Sequence, residues 1–219
     1  SPSFSAHDRA QAETFARHVG LRHESIATHE FENPRYIANN ADRCYHCKTE
    51  LFVELEKLAS ARNFAALAYG VNADDMQDFR PGHRAAREHQ VLAPLLEAEL
   101  NKSEIRELSW QEGLPTWDRP ASACLSSRLP YGTPVTVQNL SKVGRGEAIL
   151  RALEFRQFRV RHHGETARIE IASDELPRAL HMNLAQTVAE QFKRLGFTSV
   201  ILDPEGYRQG SLNAALAKK

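Results

Sequence analysis

Four of the chain's ten prolines, Pro115, Pro120, Pro130 and Pro134, crowd one stretch. Proline fixes φ and removes an amide donor, so neither a long helix nor a central strand runs through it. The segments before and after it must therefore fold as separate patterns. The stretch also carries Trp117, Cys124 and Tyr131, which a passive linker seldom needs. It reads as an ordered connector at a domain boundary, a common place for a binding site. The expected division is 1–116, a connector over 117–135, and 136–219. A length of 219 residues accommodates one large or two small domains.

Before the connector, helical and short extended patterns alternate. Ala10 to Val19 predicts a helix closed by Gly20, and Leu21 to Ala27 a strand. Cys44 to Ala59 predicts an amphipathic helix with Leu51, Leu55 and Leu58 on one stripe. Phe64 to Tyr69 reads as a buried strand ended by Gly70. Asn101 and Glu104 have capping-box spacing, opening a helix to about Gln111, with Gly113 and Pro115 as its stop. This alternation favours an α/β fold with a parallel sheet. After the connector come a helix over Val137–Leu153 and two alternating segments, Phe155–His162 and Glu165–Ile171, meeting at a His163-Gly164 turn. A helix over Asp174–Leu195 and a strand over Thr198–Leu202 complete a small α+β unit.

Charge excludes some roles. With 28 Lys+Arg against 28 Asp+Glu and pI ≈ 7.1, the chain is not built to coat nucleic acid or an acidic membrane. No apolar run reaches the length of a membrane span, and no signal peptide opens the chain. Three cysteines do not make a secreted disulfide scaffold; they suit a reducing compartment such as the cytoplasm. Ser1 stands where a Met would begin an unprocessed chain, the mark of a processed product or fragment.

The cysteines carry chemistry. Cys44 and Cys47 share the helix stripe with Leu51, and Asp42 is placed to cap that helix. Unpaired amides and the dipole at a helix start favour thiolate, the form that binds metal or attacks. A C-x-x-C pair alone also suits two small core residues, or zinc completed by histidine. Cys124 lies among small residues in Ala121–Arg128, and Arg128 is expected to favour its thiolate. Three thiolates together suit an iron–sulfur cluster with one iron left open, or a tricoordinate metal. Asn72, Asp74, Asp75 and Arg80 follow the Phe64–Tyr69 segment, where open α/β sheets bind ligands. They suit a magnesium-bound nucleotide phosphate, although an Asx-rich turn before the helix begun by Pro81 is the blander alternative. On the hairpin, Arg159 and Arg161 share one face. A two-residue turn at His163-Gly164 sets Arg159 opposite Arg168. These arginines read either as solvated surface charge or as a phosphate seat that Arg208 joins from beyond the last strand.

Several stretches together resemble the LarE family of ATP-dependent sulfur transferases, within the PP-loop (adenine nucleotide α-hydrolase) superfamily. They are Asp42–Lys48, Gly70–Asp75, Arg80–Gly82, Gly113–Asp118, Pro120–Arg128, Pro130–Gly132, Arg159–Gly164 and Gly206–Arg208, in the family's order over nearly the whole chain. The resemblance implies a Rossmann-like PP-loop domain followed by a small α+β domain. It implies sulfur insertion into an adenylylated pyridinium dicarboxylate mononucleotide, a precursor of the nickel-pincer cofactor of lactate racemase. It further implies ATP and Mg2+ as co-substrate and a homo-oligomeric assembly. Cys124 would deliver sulfur, and Arg159, Arg161 and Arg208 would hold the substrate phosphate.

Two mechanisms occur in the family. One sacrifices the cysteine at the position of Cys124, leaving dehydroalanine. The other holds a 4Fe-4S cluster on three cysteines, the pattern that Cys44, Cys47 and Cys124 match. The family's Ser-Gly-Gly-x-Asp-Ser loop, which wraps the ATP pyrophosphate, has no counterpart in the sequence. This polypeptide alone is therefore expected not to activate substrate with ATP. A cluster-dependent tRNA thiolase is the competing enzyme reading, against which neutral charge and the lack of an aromatic-basic surface pattern count. A zinc-stabilised interaction module using Cys44, Cys47 and histidines such as His46 is the non-enzymatic one.

Overall fold

The computed structural model describes residues 1–77 and 79–208. Its contacts divide the chain into two units: Ser1 with His7–Arg119, and Pro2–Ala6 with Pro120 onward. Asp78 and residues 209–219 lie outside the described residues.

The first unit is helical. α1 (Ala6–His18) starts a turn earlier than expected and ends before Gly20, whose φ of +71° suits glycine. α2 (Pro34–Ile37) is opened by the Asn33 side chain, which accepts the Arg35 amide at 2.9 Å. α3 (Arg43–Ala61) and α4 (Gly82–Glu88) pack on each other. Phe52, Ala85, Ala86 and Val91 form their shared core, closed in by Tyr45, Leu55, Leu67 and Tyr69. α5 (Pro94–Glu97) and α6 (Lys102–Gln111) follow, and α6 opens with the full capping box between Asn101 and Glu104.

Two expected strands are absent from the described part of this unit. Residues 21–27 have no regular structure, and Leu21 is 64% exposed. Of 64–69, only Ala68 makes a parallel bridge, with Leu92, while Phe64 is 61% exposed. A strand needs a hydrogen-bonded neighbour, and alternation in the sequence does not supply one. Asp42 also differs from expectation: it precedes α3 without a side-chain cap and bonds His46 Nε2 at 3.2 Å instead.

The second unit carries the sheet. α7 (Val137–Ala152) is capped by Thr136, whose side chain accepts the Asn139 amide at 3.1 Å. β1 (Phe158–His163) runs antiparallel to β2 (Thr166–Ile171). α8 (Leu176–Ala179) and α9 (Met182–Arg194) lead to β3 (Ser199–Leu202), which lies parallel to β2 in the order β1-β2-β3. Leu140, Val143 and Leu150 of α7 are buried, as are Val160, Ala167, Ile169 and Ile171 of the sheet and Phe192 of α9. Gly146 makes that packing possible. A Cβ there would lie 3.0 Å from the Phe192 ring and 3.4 Å from Val160.

The hairpin turns at Gly164-Glu165, not at His163-Gly164. Gly164 has φ +64° and takes the first central position, where glycine is favoured. Arg159 therefore faces Glu170, and Arg161, not Arg159, faces Arg168. A shift by two residues changes partners but not faces, so the assignment of faces survives it. The helix expected over 174–195 is two helices, broken where His181 turns extended at ψ 126°.

Candidate functional site

The second unit assembles a site around Cys124. Leu125–Arg128 form a 3-10 turn that Cys124 precedes, and the cysteine side chain is exposed. Leu125 is buried, and its amide bonds the Ser3 carbonyl at 2.8 Å. The Cys124 carbonyl accepts the Ser127 hydroxyl at 2.8 Å and Arg128 Nη1 at 3.1 Å. Arg128 does not spend its hydrogen bonds on the thiol, as its proximity in sequence suggested. It forks onto Glu147 of α7 at 2.7 and 3.3 Å and reaches the Ala123 carbonyl at 2.8 Å.

The arginine strand grips the same loop. Arg159 Nη2 donates to the Ala121 carbonyl at 2.6 Å and Nη1 to its neighbour Phe158 at 2.8 Å. Arg161 Nη1 donates to the Ser127 carbonyl at 2.9 Å while its other nitrogens fork onto Glu170. Tyr207 lays its ring against Arg159, 5.0 Å from centroid to guanidinium. Burial holds the Arg159 guanidinium below its ordinary range, and the charges of Arg128 and Arg161 add to that. Where cations are crowded out of water, an incoming anion relieves repulsion, so this strand is electrostatically suited to phosphate. Arg208 pairs with Glu205 at 2.6 Å and is half exposed.

Gly206 sets the approach of this last loop. Its φ is +66°, and a Cβ there would lie 2.5 Å from the Ile171 carbonyl. Tyr207, the next residue, donates its amide to that same carbonyl at 2.8 Å.

The first unit holds the other candidates. Cys44 is the second residue of α3 and Cys47 lies one turn on; both are partly exposed. Arg43 Nη2 lies 3.6 Å from Cys44 Sγ. Gly82 lets α4 approach this turn: a Cβ there would lie 3.0 Å from Lys48 Cγ and 3.6 Å from the Cys44 carbonyl. Asn72 and Asp75 bond each other's amides at 3.3 and 3.2 Å. Asp75 Oδ1 is flanked by Arg80 at 3.0 Å and Lys102 at 3.2 Å. Asp74 accepts the Lys102 amide at the start of α6 at 2.8 Å. These residues do gather, with Asp74 and Asp75 committed to an Asx turn, a helix start and two ion pairs.

None of the three cysteines is in a disulfide. Cys44 and Cys47 belong to the first unit and Cys124 to the second. Among the described residues, no three His, Cys, Asp or Glu side chains are grouped to hold a metal. No helix among them is long and apolar enough to cross a membrane.

Sequence reasoning missed Glu147 and Tyr207. Glu147 interrupts the buried stripe Leu140, Val143, Leu150 of α7 and is itself 6% exposed. A charge placed in an apolar stripe was the available signal for it. Tyr207 carried no signal beyond its place next to Arg208.

The chain resembles characterised and uncharacterised proteins over 80 to 100% of its length. It is 34% identical over 219 residues to pyridinium-3,5-bisthiocarboxylic acid mononucleotide synthase of Lactiplantibacillus plantarum, covering 100% of this chain and 78% of that protein. It is 42% identical over 218 residues to an uncharacterised protein of Synechocystis, covering 81% of it. An uncharacterised protein of Methanocaldococcus jannaschii is 30% identical over 174 residues, covering 80% of this chain and 67% of its own length. No family model matches the chain.

Proposed function

The chain belongs to the LarE family, that of the pyridinium-3,5-bisthiocarboxylic acid mononucleotide synthase, and from that premise we propose that it transfers sulfur in cofactor biosynthesis. Its substrate in this reading is a pyridinium dicarboxylate mononucleotide on the way to a nickel-pincer cofactor. The observation that carries the reading is the exposed Cys124 on a loop bonded to the arginine strand, at Arg159–Ala121 and Arg161–Ser127. A thiol and an anion seat are thereby held in one frame, as a mononucleotide acceptor requires.

In the proposed reaction, a substrate carboxylate attacks the α-phosphorus of Mg-ATP and pyrophosphate leaves. Sulfur then attacks the acyl carbon and AMP leaves, giving a thiocarboxylate. Arg159, Arg161 and Arg208 hold the substrate phosphate through charge-assisted bonds. Asn72, Asp74, Asp75 and Arg80 contact the nucleotide in this reading. Homo-oligomerisation and a cytoplasmic, reducing setting belong to the same reading, which the lack of any disulfide suits.

The donor set suits a 4Fe-4S cluster: three soft sulfur ligands, none tied in a disulfide. Cys44, Cys47 and Cys124 would hold it, and when bound it supplies a replaceable sulfide. A second reading rests on Cys124 being the one cysteine of the second unit. Here the thiolate itself attacks the acyl carbon and expels AMP. Loss of the Cys124 α-proton then breaks its Cβ–Sγ bond, leaving dehydroalanine and releasing the thiocarboxylate.

The test supplies the chain with Mg-ATP and the dicarboxylate mononucleotide, with and without a segment bearing the Ser-Gly-Gly-x-Asp-Ser loop. Mass spectrometry then follows exchange of substrate oxygen for sulfur, AMP release, and the intact mass of the protein. Thiocarboxylate with unchanged protein mass supports the cluster route, and loss of sulfur from Cys124 supports the sacrificial one. AMP release with no sulfur in the product under either condition refutes the reading.

A further inference from the structure

We propose that Arg128, held by Glu147, is a positioning residue that fixes the Cys124 main chain relative to the arginine strand. The inference rests on Cys124 being the sulfur-delivering residue. Arg128 is 2% exposed and Glu147 6%. Two guanidinium nitrogens meet the Glu147 carboxylate at 2.7 and 3.3 Å. The third, Nη1, shares its two hydrogens among the carbonyls of Ala123 at 2.8 Å and Cys124 at 3.1 Å, one on each side of the Cys124 α-carbon, and the Ser127 hydroxyl at 2.8 Å. Glu147 continues the connection. Its Oε1 also accepts the amide of Val160 at 3.4 Å, and Val160 lies between Arg159 and Arg161.

A continuous set of bonds thus runs from the cysteine backbone through Arg128 and Glu147 to the strand that carries the anion seat. Stability alone explains this poorly. A buried ion pair is often no better for the fold than apolar side chains of like volume. What the planar guanidinium supplies, and an apolar pair does not, is directional hold on two successive carbonyls of an otherwise exposed loop. Transfer between a thiol and a bound acyl group is sensitive to placement, and a misplacement of about 1 Å costs roughly 100-fold.

The test compares the full chain with Arg128→Lys and with the double variant Arg128→Met/Glu147→Met, which leaves neither charge buried alone. Iodoacetamide alkylation is followed cysteine by cysteine by peptide mass spectrometry, alongside thermal unfolding and steady-state sulfur transfer with the segment bearing the Ser-Gly-Gly-x-Asp-Ser loop supplied. Both variants are expected to melt cooperatively and to alkylate Cys124 at a rate changed by about threefold or more, with Cys44 and Cys47 unchanged. kcat is expected to fall by about 100-fold with KM unaltered.

Wild-type alkylation of Cys124 in both variants overturns the proposal, whatever turnover does. So does a parallel change at all three cysteines, or failure of both variants to fold, because the pair is then only structural. Altered Cys124 alkylation in a protein whose wild type transfers no sulfur even when the Ser-Gly-Gly-x-Asp-Ser segment is supplied supports the positioning role and refutes the proposed function.

Discussion

Arg161 and Glu170 are joined by two hydrogen bonds, 3.0 and 2.8 Å, although neither is the other's register partner. Glu170 sits opposite Arg159, and Arg161 sits opposite Arg168. The diagonal fork separates the two arginines that would otherwise repel across the ladder, while Asp203 takes Arg168 at 2.7 Å. Both partners are nearly buried, at 11% and 6% side-chain exposure. Glu170→Ala is expected to destabilise the second unit by about 3 kcal/mol, since it strands a buried guanidinium. Urea unfolding followed by tryptophan-independent circular dichroism measures this. A loss under about 1 kcal/mol, the scale of a surface pair, would contradict the burial argument.

Acid should destabilise the fold through His162. His162 is 4% exposed, neither ring nitrogen has a hydrogen-bond partner among the described residues, and the ring meets Phe197 edge-on. Burial, then Lys142, hold it below its ordinary 6.5. The unfolded chain therefore binds a proton that the folded chain refuses. Stability is complete above about pH 6.5 and falls as pH drops toward the lower folded value, by at most about 1.4 kcal/mol per pH unit. His83 and His163 are lowered in the same direction, burial again first. His162→Phe should flatten part of the slope of the urea midpoint between pH 7 and 5. An unchanged slope would assign the effect to the other two.

Gly206 tolerates no side chain. Gly206→Ala places a methyl group against the Ile171 carbonyl at 2.5 Å, with φ fixed at +66°. A left-handed residue alone costs roughly 1–2 kcal/mol, and the clash moves Tyr207 away from Arg159. We expect weaker binding of the mononucleotide in titration calorimetry, with the larger effect on phosphate-bearing ligands. Equal loss for a dephosphorylated ligand would show that this loop does not serve the phosphate.

The cluster reading makes a chemical demand on residues far apart in sequence. After anaerobic reconstitution, Cys44→Ala, Cys47→Ala and Cys124→Ala should each lose most of the iron and sulfide bound by the wild type. Atomic absorption and sulfide assay measure it. Full cluster content in Cys44→Ala would leave the sacrificial route at Cys124.

How far the sequence reveals this protein depends on the range of the interaction in question. The capping box at Asn101 and Glu104, and the cap of α7 at Thr136, lie within a few residues and are visible in the letters. The faces of the hairpin were legible too, because alternation is local. Its register was not, since one position in the turn decides it. Nor were the break at His181, which no glycine or proline marks, and the fate of residues 21–27, whose pairing depends on distant backbone. The site shows the same division. Cys124, Arg159 and Arg161 announce themselves by type and spacing, whereas the bonds of Arg128 and Glu147 span 19 residues and emerge only from the packing of the Leu125–Arg128 turn on α7.

Residues 2–6 belong with the unit that begins again at Pro120, and Leu125 bonds the Ser3 carbonyl at 2.8 Å. Topologically, residues 7–119 are thus one long excursion between two visits of the chain to the same body. The link from Ser3 to Leu125 closes a loop whose entropic cost grows with its length, so it belongs among the late contacts of folding. Ordering of the cysteine loop is thereby tied to closure of that excursion, because the closing bond falls on Leu125, the residue next to Cys124.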